Sequence, residues 1–178
     1  MPFSYFQRLN RKQKEVYRLS DRITSVLLPD SPALTETVST LERTLETGRR
    51  LAAERAAQTL VDRLTVALGV SPLRVRVLER RPSWSTGELH GLYRPNVRGG
   101  DQVSVWMRTA GRAQIVKFRT FLRTVLHELC HHLDYERFGL ADSFHTEGFY
   151  KRESSLLHQL LPSATPATPL NSTRESLY

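Results

Sequence analysis

The segment from Gln114 to Phe138 constrains the fold more than any other part of the sequence. Its apolar residues recur every three or four positions and form one stripe, made of Ile115, Phe118, Leu122, Val125, Leu129 and Leu133. This spacing is typical of an amphipathic α-helix that packs one face against a core. We therefore predict a long helix here, lying against the other elements of the domain.

The opposite face of this helix carries the sequence His-Glu-Leu-Cys-His, from His127 to His131. The two histidines are one turn apart, within about 40° of each other on a helical wheel and nearly opposite the apolar stripe. Two imidazoles in this arrangement can bind one zinc ion, and Glu128 lies one step round, where it can reach a water on the metal. The alternative interpretation is a polar helix face whose histidines only form hydrogen bonds or meet solvent.

A catalytic zinc ion needs a third protein ligand and one open position. The residues after the motif offer three candidates, which are His145, Glu147 and Glu153. Residues 137–144 give the chain room to turn back, so that His145 lies where the next helix should begin. Glu153 is two turns further along that helix, where a His-His-Glu enzyme has its ligand. Spacing alone does not choose between them.

Other polar residues near the motif are predicted to have supporting roles. His132 lies about 100° round the helix from the second histidine, so we expect it at the core edge or on the surface. Asp134 shares the histidine sector and could either accept a hydrogen bond from a ligand imidazole or be a solvated acid. Cys130 is expected to be a small, partly buried residue. Tyr135 and Tyr150 are candidates for assisting an oxyanion, although packing is the commoner role of such tyrosines.

The chain before the motif combines helical and strand-forming segments. Residues 4–28 have helical apolar spacing among basic residues, ended by Pro29. A second helical region begins at Ser31, a capping residue, and Gly69 ends it, with a break expected near Thr47 and Gly48. Residues 73–80, 88–93 and 102–108 are predicted strands, the first and third of which alternate apolar residues. Short sequential strands separated by turns favour a mostly antiparallel three-stranded sheet.

These segments predict an α+β fold in which the sheet packs on the motif helix and a helical layer precedes it. The boundaries are an amphipathic helical segment at 1–30, a helical support layer at 31–70, a core at 71–161 and a tail at 162–178. The tail is rich in proline and threonine with little to bury, so we expect it to be disordered.

Composition narrows the cellular compartment and the binding partners to be expected. The single cysteine cannot form an internal disulfide and excludes a four-cysteine zinc ribbon. No apolar run is long enough for a signal peptide or a membrane span, which predicts a cytoplasmic protein. The net charge of +8, carried mostly by dispersed arginines, makes contact with DNA or another polyanion possible.

The motif at 127–131, followed after a turn by His-Thr-Glu-Gly-Phe at 145–149, resembles the SprT-like zinc metallopeptidases. The similarity covers about residues 71–161 and implies a zincin-like core. It implies that His127, His131 and His145 bind Zn²⁺, that Glu128 is the general base, and that Phe149 packs to hold the third-ligand helix. Known relatives include proteases that act on DNA-bound proteins, many of them with a cysteine zinc ribbon that this chain lacks.

The residues support three hypotheses about function. The leading one is a zinc metallopeptidase acting on a protein or peptide, in which Glu128 takes a proton from the attacking water. An extended substrate could add to an edge strand, for which residues 102–108 are the candidate. The second is a basic nucleic-acid-binding or regulatory module with a structural zinc site. The third is a metal-free helical interaction protein.

Overall fold

The computed structural model describes residues 3–85 and 87–161. Within these residues the chain forms an α+β fold with five α-helices and a small mixed sheet of three strands. The predicted tail at 162–178 lies outside the described residues. No helix in the described ranges has the length and hydropathy needed to cross a membrane.

The elements follow one another in a simple order. The helices are α1 (Arg11–Arg22), α2 (Pro32–Glu46), α3 (Arg50–Leu68), α4 (Phe118–Glu136) and α5 (Glu147–Leu160), with a 3₁₀ helix at Ser4–Arg8. The main sheet contains β1 (Leu73–Arg80), β4 (Gly91–Val97) and β5 (Gly100–Arg108). A separate antiparallel pair is formed by β2 (Ser83–Trp84) and β3 (Gly87–Glu88).

The main sheet is mixed, which corrects the prediction of a mostly antiparallel sheet. Strand β5 lies between the other two, pairing parallel with β1 and antiparallel with β4. The prediction was wrong because apolar alternation reports which face of a strand is buried and carries no information about its neighbours. Residues 102–108 were predicted to be an edge strand. This prediction was wrong for the same reason, and these residues form most of the central strand.

The helical predictions hold in part. The break after α2 is confirmed, with Gly48 in the left-handed conformation at φ 68°. The proposed helix over 4–28 is shortened to α1, which begins at Arg11 and whose N-cap residue, Asn10, forms a capping box with Gln13. It ends at Arg22, where the next residue, Ile23, is already extended. The predicted strand at 88–93 is displaced to 91–97, because Pro95 and the left-handed Asn96 (φ 54°) hide the pattern of an edge strand.

One apolar core joins the sheet to helices α2 to α5. On β1 the odd-numbered residues from Leu73 to Val77 are buried while Arg74 and Arg76 between them are exposed, so helices cover one face of this strand. The predicted stripe of α4 contributes to the same core, with Leu122, Val125, Leu129 and Leu133 at 0–1% exposure. Burying this stripe turns the opposite face of α4, with its histidines, toward β4 and α5.

Candidate metal centre

Three histidines converge at one point between α4 and the start of α5. His127 and His131 lie one turn apart on α4, and His145 lies two residues before α5. The Nε2 atom of His145 is 3.0 Å from the Nε2 atoms of both other histidines. Nitrogen ligands of a tetrahedral zinc ion at about 2.0–2.1 Å would lie roughly 3.3 Å apart. The three imidazoles could therefore hold one metal ion.

The surroundings keep two of these imidazoles neutral, which is the form that binds a metal. Desolvation by burial, followed by the charges of His127 and His145, lowers the pKa of His131 to about 3. Partial desolvation also lowers the pKa of His145, with a further contribution from His127. A neutral imidazole has a free nitrogen lone pair at neutral pH, so the donor set suits zinc.

The structure brings His145, and neither acidic candidate, into the histidine cluster. Glu153 is 4% exposed, and its Oε2 accepts a hydrogen bond of 2.8 Å from Nδ1 of His127. This contact keeps the proton on Nδ1 and leaves Nε2 free to bind a metal. The other carboxylate oxygen accepts from Nε of Arg123 at 2.6 Å. Glu147 lies in the first turn of α5, where it pairs with Lys151.

His131 is oriented through a serine that sequence reasoning missed. The Ser143 hydroxyl donates to Oδ2 of Asp134 at 2.7 Å, so its oxygen accepts from Nδ1 of His131, also at 2.7 Å. Asp134 thus acts on His131 through Ser143, whereas the prediction was a direct hydrogen bond from the imidazole. Burial raises the pKa of Asp134, and the charge of Arg152 opposes that rise. Ser143 lies in an irregular loop, where no periodicity marks it.

Glu128 lies beside the histidines in a mostly buried position, with 5% of its surface exposed. Desolvation raises its pKa to about 7, although the charge of His127 and the backbone N–H of Tyr93 oppose the rise. A carboxylate with this pKa can both accept and return a proton near neutral pH.

Gly91 makes room for this carboxylate at the start of β4. A Cβ atom added there would lie 2.8 Å from Cγ of Glu128 and 2.8 Å from Cγ2 of Thr124. Both distances are too short for carbon atoms, so any other residue would displace the Glu128 side chain. Glycine inside a strand can mark such a close approach, and this was the available signal in the sequence.

His132 points away from the metal centre and is fully buried, which corrects the prediction of an edge or surface position. Its Nε2 donates to the carbonyl of Ser71 at 2.9 Å, and its Nδ1 is 3.1 Å from Oδ2 of Asp101. The Tyr93 hydroxyl donates to the same carboxylate oxygen at 2.7 Å. These hydrogen bonds tie α4 to β4 and β5. Cys130 is also fully buried, and burial raises the pKa of its thiol.

Two cavities flank the histidines, one of about 470 Å³ and the other of about 380 Å³. Both are bordered by Gly91, His127 and Glu128, and the residues lining them all lie within 90–153. Tyr150 lines the first cavity and Tyr135 the second. An extended chain passing through both cavities would cross in front of Glu128 and beside β4.

Comparison of the chain with protein-family models, with curated proteins and with solved structures returned no match. Membership of the SprT-like family stays a prediction based on the motifs at 127–131 and 145–149. The function therefore has to be inferred from the geometry of the site.

Proposed function

We propose that this protein is a zinc-dependent metallopeptidase. The observation that carries the proposal is the convergence of three histidine Nε2 atoms, from His127, His131 and His145, beside the buried carboxylate of Glu128. Three imidazoles with an adjacent carboxylate are typical of a hydrolytic zinc site, in which three protein ligands leave the fourth position open.

Zinc, when bound, would act as a Lewis acid toward the scissile carbonyl and acidify a water molecule. Glu128 takes a proton from this water onto a carboxylate oxygen as the water oxygen attacks the carbonyl carbon. The same carboxyl group then gives the proton to the amide nitrogen, and the carbon–nitrogen bond breaks. A pKa near 7 suits both transfers, since the group must be a base in one step and an acid in the next.

An extended protein or peptide is the substrate that the cleft suits best. Strand β4 lies at one end of the order β1-β5-β4, and among the described residues it pairs only with β5. Gly91 of this strand lines both cavities, and Leu92 and Tyr93 line the second. A peptide added to the other edge of β4 would use backbone hydrogen bonds and would present successive side chains to alternate sides. We therefore assign substrate pairing to β4 in place of the central strand predicted earlier.

Glu128→Gln is the decisive variant. We expect it to abolish hydrolysis of an unfolded, fluorescence-quenched protein while stoichiometric zinc is still bound, because the amide cannot accept the proton. Glu136→Gln on the same helix, where the carboxylate accepts from Ser71 at 2.5 Å, is the matched control and should keep full activity. Undiminished hydrolysis by Glu128→Gln, or wild-type protein that takes up no zinc when zinc is supplied, would refute the proposal.

A second candidate function is the binding of a polyanion such as DNA, with a zinc site that serves only structure. The observation that favours it is an exposed basic stripe on the sheet. Arg74 of β1 and Arg94 of β4 both pair with Gln102 of β5, so the two guanidinium groups lie on the same face. This function predicts salt-sensitive binding of duplex DNA that weakens in the double variant Arg74→Ala, Arg94→Ala. No binding at low salt would eliminate it.

A further inference from the structure

The first residues of the described chain lie against the metal centre without lining its cavities. We call residues 3–23 the N-terminal arm; it contains the 3₁₀ helix, α1 and Ile23. The arm packs on α5 and on the loop that precedes it, whereas the cavities are lined by residues 90–153. It is therefore placed to act on the metal ligands and not as a lid over the cleft.

The arm holds the backbone around His145 directly. The Tyr5 hydroxyl donates a hydrogen bond of 2.9 Å to the carbonyl of His145. On either side of this ligand, the Tyr17 ring lies 6.2 Å from that of Phe144, and the Ser20 hydroxyl is 3.3 Å from that of Thr146. His145 belongs to no helix or strand, so these contacts supply the restraint that regular structure gives to the other two histidines.

A second route leads from the arm to His131 through the buried guanidinium of Arg152, which is 0% exposed. Nη1 of Arg152 donates to the carbonyl oxygens of Ser20 at 2.7 Å and Ile23 at 2.6 Å, at the end of α1. Nη2 of the same group donates to Oδ1 of Asp134 at 2.6 Å. The other oxygen of Asp134 accepts from the serine that orients His131.

This chain of contacts depends on the arm because three of the hydrogen bonds of the buried Arg152 guanidinium go to Ser20 and Ile23. Its Nε already has no partner among the described residues, so the loss of these acceptors would leave the charge still less satisfied. Moving the arm would remove both carbonyl acceptors of Nη1 and leave the ion pair between Arg152 and Asp134 partly unsatisfied. Water would then compete for the Asp134 carboxylate, and the acceptor that fixes the Ser143 hydroxyl would be weakened. As a result, the orientation of His131 would be less firmly fixed.

Close packing holds the end of α1 against the first turn of α5. The backbone N–H of Gly148 donates to Oδ1 of Asp21 at 3.0 Å. A Cβ atom added to Gly148 would lie 2.6 Å from the backbone oxygen of Ser20, well inside van der Waals contact. The first turn of α5 thus touches the backbone of α1, and glycine is the residue that permits this approach.

We propose that the N-terminal arm is an integral part of the metal centre. It positions His145 through Tyr5 and His131 through Arg152, so that displacing the arm weakens zinc binding while the core stays folded. This inference rests on the proposed function only in requiring that the three histidines bind a metal. Tyr5 and Arg152 are positioning residues, since neither touches the metal or the substrate.

The substitution Gly148→Ala in the full chain tests the arm as a whole. Alanine favours a helix over glycine by about 1 kcal/mol, so α5 itself should not be weakened. We expect zinc affinity, measured by competition with a chelator, to fall about 10-fold or more, as when the groups that orient a ligand are lost. Gly111→Ala, at a glycine with open space around its Cβ position, is the control and should bind zinc like the wild type.

The substitution Tyr5→Phe tests the contact with His145 and decides the question if Gly148→Ala fails to fold. It keeps the aromatic ring and removes the hydroxyl, so we expect a several-fold loss of zinc affinity with an almost unchanged melting temperature of the metal-free protein. Tyr17→Phe removes a hydrogen bond that stays inside the arm, from the Phe3 N–H at 3.1 Å. It should lower that melting temperature without a comparable loss of zinc affinity.

Zinc affinities within twofold of the wild type in both Gly148→Ala and Tyr5→Phe would overturn this inference. That result leaves the proposed function intact, provided that the wild type binds zinc and Glu128→Gln is inactive. Wild-type protein that binds no zinc would instead refute both.

Discussion

The helix α4 and the loop before α5 hold the histidines of the candidate metal centre in different ways. On α4, backbone hydrogen bonding and a buried apolar stripe place His127 and His131 on one face, and only the rotation of each ring remains to be set. In the loop, His145 has no such frame, and its backbone is restrained by Tyr5 across 140 residues of sequence. Regular structure fixes the positions of His127 and His131, whereas the position of His145 depends on contacts between distant parts of the chain.

Removing His145 should have the largest effect on zinc binding. We expect His145→Ala to lose stoichiometric zinc, because two imidazoles alone leave the ion half coordinated. Metal analysis of the purified protein checks this, with His158→Ala, at an exposed histidine late in α5, as the control. Retention of one zinc ion per chain by His145→Ala, together with its loss in Glu153→Gln, would show that Glu153 is the third ligand.

The position of the Glu128 carboxylate can be changed without substituting any of the three histidines. Gly91→Ala should lower the rate of hydrolysis about 100-fold at unchanged zinc content, since a displacement of the Glu128 carboxylate by about 1 Å costs this much. The measurement pairs steady-state kinetics with metal analysis. Gly111→Ala serves again as the control glycine. Full activity in Gly91→Ala would mean that Glu128 does not act from the position seen here.

Removing the negative charge of Glu153, which accepts a hydrogen bond from Nδ1 of His127, should weaken zinc binding less than removing His145 does. We expect Glu153→Gln to weaken zinc binding about 10-fold to 100-fold, the usual result of losing a group that orients a histidine ligand. Chelator competition measures this, and Glu147→Gln in the first turn of the same helix is the comparison. Equal affinities of the two variants would contradict an orienting role for Glu153.

Removing the Ser143 hydroxyl, which accepts a hydrogen bond from Nδ1 of His131, should have the smallest effect of these four substitutions. We expect Ser143→Ala to weaken zinc binding by no more than about 10-fold, because a neutral hydroxyl polarises the imidazole less than a carboxylate does. Ser143→Thr restores a hydroxyl and should recover affinity if the threonine takes the same rotamer. A larger loss of zinc affinity in Ser143→Ala than in Glu153→Gln would reverse this order. It would show that His127 and His131 are oriented mainly by the loop before α5.

The parts of the site that could be predicted are those with local regularity. The motif on α4 predicted which face carries His127 and His131, and the residues after it offered His145 as a ligand candidate. Glu153 was also a candidate, and its actual place, against Nδ1 of His127, depends on how α5 crosses α4. Ser143 and Gly91 left no periodic signal, and the helical spacing of residues 4–28 did not show where the arm packs, because the role of each depends on a contact with a distant segment.

Local sequence patterns account for the elements whose stability is local: the amphipathic helix that carries residues 127–131, the break between α2 and α3, and the buried face of β1. Long-range packing makes β5 central, leaves one edge of β4 unpaired among the described residues, and brings His145 and not Glu153 into the cluster. Helical spacing and apolar alternation arise from repeats within a few residues, so they can be read from the chain. Strand order, ligand choice and the packing of the N-terminal arm depend on the whole core closing around them.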